Sequence, residues 1–102
     1  MRRSLILNLL LPLMLFSQQD ATIQGIVRDV ETDEPLPGVN VIIKGTYYGA
    51  ASASDGKYII TGISPGSYDI EISMVGYKVL LKTGVEVKAE AVVTENFDLE
   101  QT

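Results

Sequence analysis

The sequence predicts an all-β protein, a seven-stranded antiparallel Greek-key β-sandwich. Three observations predict it. Beyond residue 20, apolar and polar residues alternate in short runs rich in Val, Ile, Thr and Tyr, the period of a half-buried strand. These runs recur at a spacing of roughly ten residues, divided by Gly, Pro, Asn and Asp, which suits a two-sheet sandwich. No stretch keeps a helical period, and without crossover helices a parallel α/β sheet is excluded.

The first run is Thr22–Asp29, with Ile23, Gly25 and Val27 on one face and Gln24 and Arg28 on the other. A turn follows at residues 30–38, where Pro35, Pro37 and Gly38 forbid a central strand. Val39, Val41 and Ile43 then share a face of the second run, residues 39–45. Residues 46–54, small and containing Gly49, read as a short, weak third strand at a sheet edge. Asp55-Gly56 is a hairpin signal, since Asp-Gly tolerates positive φ. Tyr58 and Ile60 form the inward row of the fourth run, and Pro65-Gly66 turns the chain again. The fifth run, 67–75, is the clearest: Tyr68, Ile70, Ile72 and Met74 oppose Asp69, Glu71 and Ser73. Gly76 ends it. The sixth run, 77–82, sets Val79 and Leu81 inward; Thr83-Gly84 reads as a turn, and Val85 and Val87 continue an edge. Residues 91–99 close the domain with Val93, Phe97 and Leu99. The expected core is therefore Ile23, Val27, Val39, Val41, Ile43, Tyr58, Ile60, Tyr68, Ile70, Ile72, Val79, Leu81, Phe97 and Leu99. Tyr58, Tyr68 and Tyr77 lie in phase with the inward faces, so their hydroxyls are expected at the rim.

Residues 1–17 stand apart. Arg2 and Arg3 precede an apolar run from Leu5 to Phe16, then small Ser17 and polar Gln18, Gln19 and Asp20. Basic, apolar, small, polar is the order of a secretory signal peptide, with cleavage near Ser17–Gln18. The competing reading is a membrane anchor, but the apolar core is short of the roughly 20 residues a spanning helix needs. The expected organisation is a signal peptide at 1–17, a linker at 18–21, the sandwich at 22–99 and a tail at 100–102. The expected product is exported, to the periplasm or the outer membrane, without a transmembrane span of its own. Removing the leader takes two of the eight basic residues and leaves thirteen acidic ones, a net charge of −7.

Composition narrows the function. The 102 residues include no Cys and no His. That excludes disulfides, a thiolate nucleophile and a Ser-His-Asp arrangement. The acidic balance argues against nucleic acid as a partner. Asp29, Glu31, Asp33 and Glu34 could offer oxygen ligands to calcium, though Glu34 stands where an EF-hand loop has Gly. The alternative is a solvated turn whose charge discourages edge-to-edge association. A glycosidase acid/base pair from the same carboxylates would need a cleft that a turn does not offer. Tyr47 and Tyr48, between Gly45 and Gly49, could stack on a sugar or a protein; otherwise one ring packs on the core and the other covers a sheet edge. The serines have no base at a recognisable spacing, and Gly62, Gly66 and Gly76 are followed by no helix that would make a phosphate loop. No cofactor is expected.

Five motifs in order carry a resemblance. They are Ile23-Gln24-Gly25-Ile26-Val27-Arg28-Asp29, the run from Glu34-Pro35-Leu36-Pro37-Gly38 to Gly45-Thr46, Asp55-Gly56-Lys57-Tyr58, Pro65-Gly66-Ser67-Tyr68, and Val75-Gly76-Tyr77-Lys78. Over about residues 22–99 the chain resembles the carboxypeptidase regulatory-like domain. The resemblance implies a transthyretin-like sandwich, in which Gly25 leaves room on an inward face for a ring. In metallocarboxypeptidases such a domain is an accessory to the catalytic one. In many TonB-dependent outer-membrane receptors it is an N-terminal periplasmic extension, and a domain directly behind a signal peptide resembles that arrangement. Residues 95–102 also look like the segment before a receptor's TonB box. With no zinc-ligand set, peptidase activity does not carry over. The expectation is a non-enzymatic accessory domain that docks a protein of the cell envelope, either a stand-alone protein or the first piece of a truncated receptor. The alternative is a carbohydrate-binding module using Tyr47 and Tyr48.

Overall fold

A computed structural model of the chain describes residues 20–102; the expected signal peptide lies outside the described residues. Eight strands follow in order: β1 (Ala21–Asp29), β2 (Asn40–Ile43), β3 (Gly49–Ala51), β4 (Lys57–Ile63), β5 (Gly66–Ser73), β6 (Leu80–Val87), β7 (Val92–Thr94) and β8 (Phe97–Leu99). One sheet runs β4-β1-β7, with β8 continuing beside β1; the other runs β3-β2-β5-β6. Among the described residues no helix is long and apolar enough to cross a membrane.

The core lies between the sheets. Ile23, Val27, Tyr58, Ile60, Ile63, Phe97 and Leu99 face Val39, Val41, Ile43, Ile70, Ile72, Val85 and Val87. Each apolar side chain fully removed from water contributes about 1.5–3 kcal/mol, so these rows drive the fold. Tyr58 stacks on Phe97, with ring centroids 6.0 Å apart.

The sandwich is as expected, but Asp55-Gly56 turns the chain from one sheet to the other and closes no hairpin, since β3 pairs only with β2 and β4 only with β1. Three further differences concern the strands. The last expected strand is two strands, because Glu95-Asn96 interrupts the ladder between β7 and β8. Both halves pair with β1 in parallel, whereas every other strand pair is antiparallel. The third difference is in β6. Ile70 pairs with Lys82, but Tyr68 pairs with Val85, so β6 carries an extra residue there. Thr83-Gly84 is thus a bulge inside a strand and not a turn; Gly84 has φ +69° and its N–H donates to Asp69 Oδ1 at 3.0 Å. The bulge reverses which parity points inward. Val79 and Leu81, expected in the core, are 61% and 50% exposed, while Val85 and Val87 are 5% and 3% exposed. Tyr68, also expected in the core, is half-buried against it.

At Gly25 the backbone of the 91–99 run comes close against β1. A Cβ at that position would overlap the carbonyl oxygen of Glu95. The space a side chain would take at Gly25 is held by backbone, and Tyr58, directly opposite Gly25 on β4, donates its hydroxyl to that same Glu95 carbonyl at 2.6 Å. Burial, with the Glu95 charge behind it, pushes the Tyr58 phenol up, which keeps it a donor.

Candidate functional site

The acidic turn is built around one carboxylate. Asp29 ends β1 and is 2% exposed. Its Oδ1 accepts from the Glu31 and Thr32 N–H groups at 2.8 and 3.1 Å. Its Oδ2 accepts from Tyr77 OH at 2.7 Å and from Gln101 Nε2 at 2.9 Å. Four donors satisfy a carboxylate fully, as a buried charge requires. The Gln101 amide, then the Tyr77 hydroxyl and the two backbone N–H groups, hold the Asp29 carboxyl well below the usual range. The same bond to Asp29 pushes the Tyr77 phenol up. Glu31, Asp33 and Glu34 are exposed around it, and among the described residues no group of three or more acidic side chains converges on a point where a metal could sit. Asp29 organises the turn by joining β1, the loop after β5 and the C-terminal segment. That segment is clipped in place: Lys78 N donates to Glu100 O at 2.8 Å and Thr102 N to Gly76 O at 3.0 Å.

The two adjacent tyrosines part company. Tyr48 packs edge-on against Tyr68, with centroids 6.5 Å apart and rings at 87°, and its hydroxyl lies 3.4 Å from Ser64 Oγ. Tyr47 is fully exposed beside it. The pair therefore offers one free ring instead of a two-ring platform. Thr46 fixes this arrangement, since its Oγ1 donates to Ile43 O and accepts from Tyr48 N, at 2.8 and 2.9 Å.

Two further features add to the sequence motifs, and the first has no counterpart among them. An open groove of about 670 Å³ crosses the outer face of the first sheet, lined by Gln24, Ile26, Lys57, Ile59, Thr94 and Asn96 among others. It mixes apolar and polar side chains. No local sequence signal marks it, because its walls come from distant runs. The second feature is the contrast between the edges of the other sheet. On β6 the inward-pointing Lys82 reaches Glu95 of the opposite sheet at 3.4 Å, a charged device that guards an edge. On β3 the edge is Gly49-Ala50-Ala51, with no charge. An edge strand is expected within residues 46–54, and β3 is that strand.

A family profile described as the carboxypeptidase regulatory-like domain matches residues 22–100. The chain belongs to the carboxypeptidase regulatory-like domain family. Among curated proteins, this domain is similar to the TonB-dependent receptor SusC of Bacteroides thetaiotaomicron, at 35% identity over 100 residues. That alignment covers 87% of this chain and 10% of the receptor. It is also similar to the TonB-dependent receptor P39 of Formosa agariphila, at 40% identity over 62 residues, covering 61% of this chain and 5% of that one. The carboxypeptidase regulatory-like domain thus spans a tenth or less of the length of these relatives. Among solved structures it is similar to a chain of a type II cohesin–X-dockerin complex from Acetivibrio cellulolyticus, with a TM-score of 0.66 and 24% identity over 76% of this chain and 52% of the other. That likeness supports the sandwich fold. Within the family match, the motif residues have structural tasks: Gly25 admits the Glu95 carbonyl, Asp29 and Tyr77 bond each other, and Gly56, at φ +80°, lies against Pro35 and the Val27 carbonyl.

Proposed function

We propose that the chain is a non-enzymatic, exported accessory domain that docks a protein partner in the cell envelope. On this reading it is the N-terminal periplasmic extension of a TonB-dependent receptor, or a stand-alone relative of one. The observation that carries the reading is the alignment of 87% of the chain with a single TonB-dependent receptor. The sites support it in kind. The one buried carboxylate among the described residues is spent on four structural hydrogen bonds. The uncharged β3 edge presents unpaired backbone groups, which suffice for pairing with a partner strand without a pocket.

The test is fractionation of cells of the source organism with an antibody against residues 22–99. Recovery in the periplasm or outer membrane is expected, with residues 1–17 missing from the intact mass; recovery from the cytoplasm alone would overturn the reading. Reading the gene beyond codon 102 separates its two forms, since an in-frame plug and barrel make it a receptor extension.

A further inference from the structure

The segments that carry the two ends of the domain run side by side in the same direction. β1 is hydrogen-bonded to the 91–99 run on both sides of one interruption. Thr22 N donates to Ala91 O at 2.9 Å, and β7 pairs with Thr22–Gln24. Glu95 N donates to Gln24 O at 2.8 Å. β8 pairs with Val27–Asp29, and Val30 N donates to Leu99 O at 2.9 Å. At the interruption, Asn96 Oδ1 accepts from Ile26 N at 2.9 Å, so a side chain supplies the acceptor that the ladder lacks there. Beyond β8, Gln101 and Tyr77 meet on Asp29.

We infer that this ladder is a mechanical clamp, which keeps the domain folded when tension is applied through its two ends. In a parallel pair, the entry of one strand and the exit of the other lie at opposite ends of the ladder. Tension between residues 20 and 102 therefore runs along β1 and β7–β8 and loads their hydrogen bonds together, in shear. The nine residues of β1 give that ladder a length of about 30 Å. The β1–β4 pair is the internal contrast. It is antiparallel, and Ala21 faces Ile63. Tension between neighbouring ends of that pair falls on one bond at a time and peels the strands apart. The Asn96 amide closes the weak step in the parallel ladder, and the Glu95 carbonyl seated at Gly25 and held by Tyr58 keeps that step against β1.

The absence of cysteine lets attachment points be chosen freely for single-molecule force measurement on the full chain. One double variant, Asp20→Cys with Thr102→Cys, pulls the ladder in shear. A second, Asp20→Cys with Thr61→Cys, peels β1 from β4. At equal loading rate the first is expected to resist roughly two-fold more force or better, because forced unfolding reports the barrier along the loaded direction. Asn96→Ala is expected to narrow that gap while leaving the peeling force unchanged. If that variant does not fold, Tyr58→Phe, which frees the Glu95 carbonyl, should narrow the gap in the same way. Equal forces in the two geometries would overturn the inference. So would a gap that the folded variant leaves intact, since the resistance would then lie outside this ladder.

Discussion

The two sheets hold together by different means. In the first, backbone meets backbone: the Glu95 carbonyl occupies the space over Gly25, Tyr58 donates to it, and Asn96 completes the bonding of Ile26. Both sheets send side-chain rows into the core, but in the second the backbone is more forgiving. β6 absorbs an extra residue at Thr83-Gly84 and still delivers Val85 and Val87 to the core. Its outer face leaves Ile42 and Leu81 exposed on either side of Glu71. Tolerance should therefore differ between the sheets more than burial alone would suggest.

The largest effect breaks the comparison at Gly25. A side chain there has backbone in its way, and backbone yields less readily than the tip of a side chain. Gly25→Val is expected to destabilise the domain by about 3 kcal/mol or more. On the other sheet, Ala51→Val at the exposed β3 edge should stay within about 0.5 kcal/mol of the parent. Urea unfolding of both variants checks this. A folded Gly25→Val with the parent midpoint would mean that β7–β8 can move off β1.

Next comes acid. The Asp29 carboxyl titrates lower in the fold than in the unfolded chain because Gln101, Tyr77 and two backbone N–H groups bind its charged form. An unfolded chain therefore takes up the proton first. The contribution of Asp29 is complete above its unfolded value of 3.8 and is lost as pH falls towards the lower folded one. Asp29→Asn is expected to melt below the parent at pH 7, with the difference shrinking on acidification towards pH 2. Melting curves by circular dichroism at pH 7, 4 and 2 would show it. A difference constant with pH would mean that the carboxylate charge is not what Tyr77 and Gln101 bind.

A third contrast lies within β6. Val87→Ala should cost about 1–3 kcal/mol, from lost burial and the cavity left behind. Leu81→Ala should stay within about 0.5 kcal/mol. Comparable losses in urea would return the strand to an unbroken alternation.

Much of this was legible in the sequence. Period-2 alternation located β1, β2, β4 and β5 and their inward rows. Asp55-Gly56 located a tight turn ahead of β4, though not a hairpin, because the strands on either side of it belong to different sheets. The residues at fault were those where a non-local contact overrides the pattern. Thr83-Gly84 has the composition of a turn; only the bond from Gly84 to Asp69, on a paired strand, makes it a bulge. Leu80 and Leu81 are identical in type, so nothing local says which faces inward. Residues 91–99 look continuous because the interruption at Glu95-Asn96 is made by Gly25 and Tyr58, far away in the chain. In the sequence Asp29 is one of four carboxylates, and its separation from Glu31, Asp33 and Glu34 depends on Tyr77 and Gln101, which no spacing rule connects to it.

The smallest expected effect lies at the two tyrosines, and it bears on the carbohydrate-binding alternative. Tyr47 touches little, so Tyr47→Ala should change stability by no more than about 0.5 kcal/mol. Tyr48 is edge-on to Tyr68 and bonded to Ser64, so Tyr48→Ala should cost about 1–2 kcal/mol through the lost aromatic pair and hydrogen bond. Sugar recognition by this patch would have to rest on one ring. A single stacked ring supplies little against the roughly 4–15 kcal/mol that association costs, so binding tighter than millimolar is not expected. Calorimetric titration with a panel of oligosaccharides measures this directly. Micromolar binding that disappears in Tyr47→Ala, with the melting temperature unchanged, would establish a binding site on the one ring that the fold leaves free.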